Sequence, residues 1–206
     1  MEKRTPAQLA IFDFDGTLTL RDTTFGFVFY FTGTTKAIVS LLAIVPYWIL
    51  ARLGQLKMQV VKEKLFKIIF GGYSIAEVQK RGINYGANEI PKILHPTVYA
   101  EMKKLQSQGF EILILSASCS VWLKSWCEEE SLQLICSELE ISNNCFTGKL
   151  KGQNCYGKEK LKRLYEVYEI DKINEVVAYG NHASDLHYLK LASEAYLVNG
   201  KKITAL

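Results

Sequence analysis

The sequence predicts an α/β fold, a parallel sheet with helices on both faces and an all-helical segment inserted near its start. Three observations carry this. From Pro96 onward, apolar strand-like runs alternate with amphipathic helical patterns. An earlier apolar run, Leu9–Phe12, ends in Asp13-Phe14-Asp15-Gly16-Thr17. Between the two lies a long stretch, roughly 20 to 91, with helical spacing and no strand alternation.

The chain has 206 residues, enough for one core domain and a smaller appendage. Its net charge of +4 is modest and no lysine or arginine run forms a stripe, so no nucleic-acid partner is expected. The polar opening leads directly into a strand, so no secretory signal is expected. Five cysteines (119, 127, 136, 145, 155) are odd in number and lack Cys-x-x-Cys spacing. That argues against a zinc site or a disulfide framework, and a reducing cytoplasm fits best.

In the inserted stretch, Phe25 to Phe31 is nearly all aromatic or aliphatic. Ala37 to Ala51 has only Ser40 as a hydrophilic position, with Pro46 inside and Lys36 and Arg52 at its ends. Fifteen helical residues reach only about 22 Å, short of a bilayer, and Pro46 is expected to kink or break a helix there. Two readings stay open: a helix buried in the appendage, or an interfacial membrane contact favoured by the basic flanks. Met58 to Phe70 has helical spacing stopped by Gly71-Gly72, and Ser74-Ile-Ala-Glu77 reads as a capping box opening another helix.

Beyond Pro96, Val98, Met102 and Leu105 share one helical face, ending at Gly109. Phe110–Leu115 is a continuous apolar strand of the buried parallel kind. A helix over Val121–Glu129, a strand around Leu132–Cys136 and a hairpin over Leu139–Leu150 turning at Asn143-Asn144 follow. Leu161, Leu164, Tyr165 and Tyr168 mark a further helix. Glu175–Tyr179 reads as a strand, Leu186–Leu191 as a helix and Ala195–Val198 as a last short strand.

The chemistry concentrates at strand ends. Asp13 and Asp15 are like charges two residues apart, with no cation beside them in the sequence. Such a pair is tolerated where a metal ion or a phosphoryl group balances it. Gly16 permits a sharp turn where open α/β sheets place ligands. Ser116 follows the strand Phe110–Leu115, with Ala117 and Ser118 next. A hydroxyl and free backbone N–H groups there can hold a phosphate oxygen, although a serine in that place is commonly a helix cap. Lys158 precedes a helix, where a lone lysine is ordinarily solvated. Asp185, in Gly180-Asn-His-Ala-Ser-Asp185, could equally be an N-cap, as could Asp22. His182 reads as a solvated or hydrogen-bonded loop residue and His95 as a hinge or surface residue.

Taken in order, these groups resemble the four motifs of the haloacid dehalogenase superfamily, over nearly the whole chain. The spacing from Lys158 to Asn181 and the helical insertion are similar to the phosphoserine phosphatase branch. The apolar insertion itself is most similar to bacterial members of the phosphatidylglycerophosphatase C kind. The resemblance implies a Rossmann-like core over 1–19 and 92–206 and a helical cap over 20–91. It implies Asp13 as nucleophile forming an aspartyl-phosphate, Asp15 as general acid and base, and Thr17 orienting Asp15. Ser116, Ala117 and Lys158 would hold the phosphoryl group, and Asp22 would contact substrate at the cap entry. Mg²⁺ would be held by Asp13, the Asp15 backbone carbonyl, Asn181 and Asp185. Asn181 departs from the family's usual aspartate and should weaken that ion's binding.

The substrate implied is a phosphomonoester, either small and polar like phosphoserine or lipid-linked like phosphatidylglycerophosphate; the apolar cap favours the second. A phosphate-binding module without turnover is the competing class, with Asn181 its only support. The expected location is the cytoplasm, with peripheral contact at the inner face of a membrane.

Overall fold

The computed structural model describes residues 3–206. Numbering strands and helices in chain order, its main sheet contains β1 (Gln8–Phe12), β2 (Glu111–Cys119), β3 (Gln133–Ser137), β6 (Glu175–Gly180), β7 (Glu194–Asn199) and β8 (Lys202–Ala205). The strands lie in the order β3-β2-β1-β6-β7-β8. All neighbours are parallel except β7 and β8, which pair antiparallel. The sequence reading missed β8. Its run Lys-Ile-Thr-Ala carries one large apolar residue, and its strand character comes from hydrogen bonding to β7.

Alternation along the buried strands feeds two cores. Ala10, Phe12, Ile112 and Ile114 face one cluster; Leu9, Ile11, Leu113 and Leu115 face the other. The second is closed by α8 (Lys158–Val167) and α9 (Leu186–Leu189) through Leu164, Tyr188 and Leu189. The first is closed by α6 (Pro96–Ser107) and α7 (Ser120–Glu129), and it continues into the inserted helices.

The insertion is all-helical: α1 (Thr23–Thr32), α2 (Thr34–Arg52), α3 (Met58–Phe70), α4 (Ile75–Asn88) and the single turn α5 (Ile90–Ile93). Ser74 caps α4 by accepting from Glu77 N at 3.3 Å, the N-cap half of the capping box read from the sequence. The cap leaves and re-enters the core through paired backbone. Leu20 N donates to Ile93 O, and His95 N to Leu18 O, both at 2.8 Å. His95 is therefore buried where the chain re-enters the core and not on the surface, its ring accepting from Val98 N.

Cap and core meet where α4 lies on α7. A Cβ at Gly82 would stand 2.0 Å from the Val121 carbonyl oxygen, and one at Gly86 2.7 Å from Ser125 Oγ. Only glycine lets these backbones approach so closely. Phe27 stacks on Trp122 at 4.8 Å, and Phe31, Phe66, Phe70 and Tyr85 complete the aromatic interior. The hairpin of β4 (Leu139–Ser142) and β5 (Cys145–Leu150) turns on Asn143 and Asn144, both at positive φ. It supports α3, with Leu150 N donating to Glu63 Oε1 at 3.2 Å.

Helix α2 corrects the sequence reading in length and narrows its two alternatives. It runs over 19 residues without a break at Pro46, and by length and composition alone is long and apolar enough to cross a membrane, unlike the fifteen residues read from the sequence. Pro46 costs it one backbone bond, the one to the carbonyl of Leu42, and both residues are exposed on the helix surface. The apolar segment is also not interior to the cap: only Ala37, Ser40 and Ile44 of α2 are buried.

Candidate active site

The C-terminal end of β1 delivers Asp13 between its two parallel neighbours. Phe12 is level with Ile114 on one side and Tyr179 on the other, and Asp13 N donates to Tyr179 O at 3.0 Å. Gly16 follows at φ +80°, and a Cβ there would stand 2.1 Å from Asn181 Nδ2. The turn therefore needs glycine both for its backbone and for the asparagine packed against it.

The cation at this centre is Lys160, not Lys158. Lys160 Nζ donates to Asp13 Oδ1 at 2.6 Å and to Asp185 Oδ1 at 2.8 Å, and the residue is 2 % exposed. The Tyr188 ring lies alongside, its centroid 5.4 Å from the ammonium. Lys158 begins α8 and is solvent-exposed. Helical geometry supplies the reason. Lys160 is four residues before the buried Leu164 and shares its inward face, whereas Lys158 does not. The same periodicity that marks Leu164 as core could have selected Lys160.

Thr17 also acts differently from expectation: its Oγ1 donates to Asp13 Oδ2 at 3.0 Å and not to Asp15. Asp15 is held instead by the first turn of the cap. Its Oδ1 accepts from both Thr23 N and Thr23 Oγ1 at 2.6 Å, and its Oδ2 from Ser118 Oγ at 2.5 Å. Thr24 Oγ1 pairs with Ser118 Oγ at 3.0 Å, and Trp122 Nε1 donates to Thr23 Oγ1 at 3.2 Å. A hydroxyl network across the cap–core junction thus fixes the second carboxylate.

These surroundings shift the acids. Burial pushes Asp13 up to about 6 against the opposing pull of Lys160, with Asp185 adding to the rise. Burial, followed by the nearby charge of Asp22, pushes Asp15 up to about 6, against its hydrogen bonds from Ser118 and Thr23. Burial disfavours the charged form of Lys160, yet Asp13 and Asp185 outweigh it and hold the ammonium protonated.

Ser116 lies inside β2, which is longer than expected, and is fully buried. The β2–β3 ladder breaks between Ser116 and Cys119, leaving Ala117 and Ser118 in an irregular turn. Ser116 Oγ accepts from Ser118 N at 3.0 Å, so its own proton remains for donation. The Ala117 carbonyl accepts from Lys62 Nζ, a cap lysine on α3, at 2.6 Å. Lys62 carries no local motif, so no sequence signal pointed to it.

Asp185 is used as an anchor. Beyond its bond to Lys160, its Oδ2 accepts from Asn181 N and His182 N, both at 3.2 Å. Both its oxygens thus accept hydrogen bonds, as both oxygens of Asp13 do from Lys160 and Thr17. Asn181 Nδ2 donates to the Asp15 carbonyl at 3.0 Å. The Asp13 carboxylate and the Asp15 carbonyl thus place hard oxygens at the end of β1, with the Asn181 amide beside them. With one carboxylate and neutral oxygens, this set fits a Mg²⁺ ion that keeps several waters and takes further oxygens from a phosphate. His182 caps the turn after β6 and contacts Tyr156.

Asp22 caps α1 by accepting from Phe25 N at 3.0 Å, and it also borders a cleft of about 670 Å³. Arg21, Phe25, Gly26, Tyr30, Tyr85, Glu89 and Ile93 line the rest. Of these lining residues, Asp22 and Tyr85 lie near enough to Asp15 for its charge to act on them or theirs on it.

Residues 10–190 match the model of the haloacid dehalogenase-like hydrolase family. The chain is 28 % identical over 191 residues to protein CicA of Caulobacter vibrioides, covering 90 % of this chain and 83 % of that one. Its structure resembles a protein of unknown function from Bordetella pertussis, with a TM-score of 0.77 and 17 % identity over 93 % of this chain and 89 % of the other. A substrate-bound phosphoserine phosphatase superposes with a TM-score of 0.61 and 20 % identity, over 93 % and 84 % of the two chains. At those identities the two structures report a shared fold, while the family match covers most of the chain. The chain belongs to the haloacid dehalogenase-like hydrolases.

Proposed function

We propose that the protein is a Mg²⁺-dependent phosphatase that hydrolyses a phosphomonoester through an aspartyl-phosphate on Asp13. One observation carries this reading: two carboxylates two residues apart are given opposite surroundings. Asp13 is paired with the Lys160 ammonium, while Asp15 sits in a cradle of the Thr23 and Ser118 hydroxyls. Paired carboxylates so divided suit separate nucleophile and proton-transfer roles.

In the first half-reaction an Asp13 carboxylate oxygen attacks phosphorus, and the bond from phosphorus to the ester oxygen breaks. Asp15 gives its proton to the departing alkoxide. In the second, Asp15 takes a proton from water, whose oxygen attacks phosphorus and releases Asp13 and inorganic phosphate. Lys160 and Ser116 face the phosphoryl oxygens with positive charge and an O–H donor. Mg²⁺, held by Asp13, the Asp15 carbonyl and Asn181, would lower the repulsion between a carboxylate and an anionic phosphate.

The cleft supports an amphiphilic substrate. Phe25, Tyr30, Tyr85 and Ile93 give it an apolar wall, with Arg21 as the lining cation. A lipid-linked phosphomonoester suits that wall better than phosphoserine does. The decisive experiment compares phosphate release from phosphoserine, p-nitrophenyl phosphate and detergent-solubilised lipid phosphomonoesters, for the wild type and Asp13→Asn. Turnover by the wild type and none by the folded variant is expected. Wild-type turnover in Asp13→Asn, or turnover of phosphoserine but not of lipid phosphates, would overturn the nucleophile or the substrate class respectively.

A further inference from the structure

We infer that α2 is a membrane-docking element, lying in the plane of an anionic bilayer with its outer face among the lipids. The helix is 19 residues long, about 28 Å, and only 11 % of its apolar stretch is buried. Its inner stripe, Ala37, Ser40 and Ile44, packs on the cap. The outward stripe, Ile38, Leu42, Val45 and Ile49, is exposed, Leu42 at 65 %. From Val45 to Leu50 every residue is apolar and exposed. An apolar face of this length has to be covered by something.

A bilayer fits better than the other covers. Between Asp22 and Glu63 the sequence contains no acidic residue, but it carries Lys36, Arg52 and Lys57, besides Lys62, which is turned to the Ala117 carbonyl. A second copy on the same face would bring those cations together with no carboxylate to pair them. An anionic surface supplies the missing charge. Near the C-terminal end of α2, Arg52 lies over the Trp48 ring at 5.3 Å, and Lys64 over Tyr47 at 5.3 Å. Aromatic and basic side chains together suit the headgroup layer.

The helix lies on the membrane and does not cross it. At its N-terminal side α1 is tied to the core through Thr23 and Asp15. After Arg52 the chain is back at the core by Gln59, whose side chain accepts from Asn154 N and donates to Gly152 O. Seven residues span at most about 24 Å, less than the ~30 Å hydrocarbon layer. Both ends of α2 therefore stay on one side. Phe25 and Tyr30 of α1, which joins α2 at Gly33, line the cleft that Asp22 and Tyr85 also border. Docking would then let a lipid phosphomonoester reach the site without leaving the bilayer. This substrate consequence rests on the phosphatase reading; the docking does not.

Trp48 provides the test, because it is 45 % exposed while Trp122 and Trp126 are buried. The full chain is mixed with phosphatidylcholine vesicles, with or without phosphatidylglycerol. Sedimentation is followed together with quenching of tryptophan fluorescence by brominated lipid. Attachment to the phosphatidylglycerol vesicles, quenching of Trp48 and release by salt are expected. The double variant Leu42→Gln, Ile49→Gln should bind at least about tenfold more weakly, with p-nitrophenyl phosphate turnover within about twofold of wild type. Asp13→Asn should bind vesicles like wild type, so a failed phosphatase reading and a failed docking remain distinguishable. No quenching with either vesicle overturns the inference, as does equal attachment to both. So does a dimer in light scattering that the double variant converts to monomer.

Discussion

Lys160 Nζ lies 2.6 Å from Asp13 Oδ1 inside a site where both residues are nearly shut off from solvent. Asp185 takes a second bond from the same ammonium at 2.8 Å. The cluster joins the end of β1, the first turn of α8 and the loop after β6. Two buried carboxylates and one ammonium are stable only as a set, since loss of one member leaves an uncompensated charge.

Lys160→Met should therefore lower turnover by about 100-fold or more and destabilise the fold by about 3–5 kcal/mol, because two buried carboxylates lose their cation. Lys158→Ala should leave rate and stability nearly unchanged, since its side chain is solvated. Phosphate-release rates and thermal unfolding of the two variants check both. Equal losses would show that the lysine at the start of α8 shares the role.

Asp15→Asn cannot supply a proton to the leaving oxygen or take one from water. Its loss in kcat should be about 10²–10⁴-fold for an alkyl phosphate. The loss in the first half-reaction should be smaller for an aryl phosphate, whose leaving oxygen needs less protonation. Burst kinetics on the two substrate types separate the half-reactions. Equal burst-phase losses would remove Asp15 as general acid.

Asn181→Asp adds a carboxylate 3.0 Å or so from the Asp15 carbonyl, where Asn181 Nδ2 now donates. The gain in attraction for a hard cation is offset in part by repulsion from Asp13 and Asp185. The Mg²⁺ concentration giving half-maximal activity should fall. A rise or no change would place Asn181 away from the ion.

Gly82→Ala would raise helix propensity by about 1 kcal/mol in isolation. In this fold the added Cβ would stand 2.0 Å from the Val121 carbonyl oxygen, so α4 must back away from α7. Stability should fall by about 1–3 kcal/mol as the close packing is lost. A raised melting temperature would mean that the cap can shift on the core without cost.

What the sequence by itself determined was set by local rules. Apolar runs marked the parallel strands β1, β2, β3, β6 and β7; Gly71-Gly72 stopped α3 and Ser74 started α4. The acidic pair at the end of β1 and the order of the later motifs pointed to the chemistry. Tertiary structure decided the rest, because those choices depend on partners distant in sequence. Which of Lys158 and Lys160 enters the site depends on the face that α8 turns to the sheet. Whether Thr17 serves Asp13 or Asp15 depends on the turn at Gly16, which points Asp15 toward Thr23 and Ser118. The fate of α2 was hidden for the same reason. Apolar composition shows that a helix avoids water, but only its neighbours show which face they cover, and here they cover one narrow stripe.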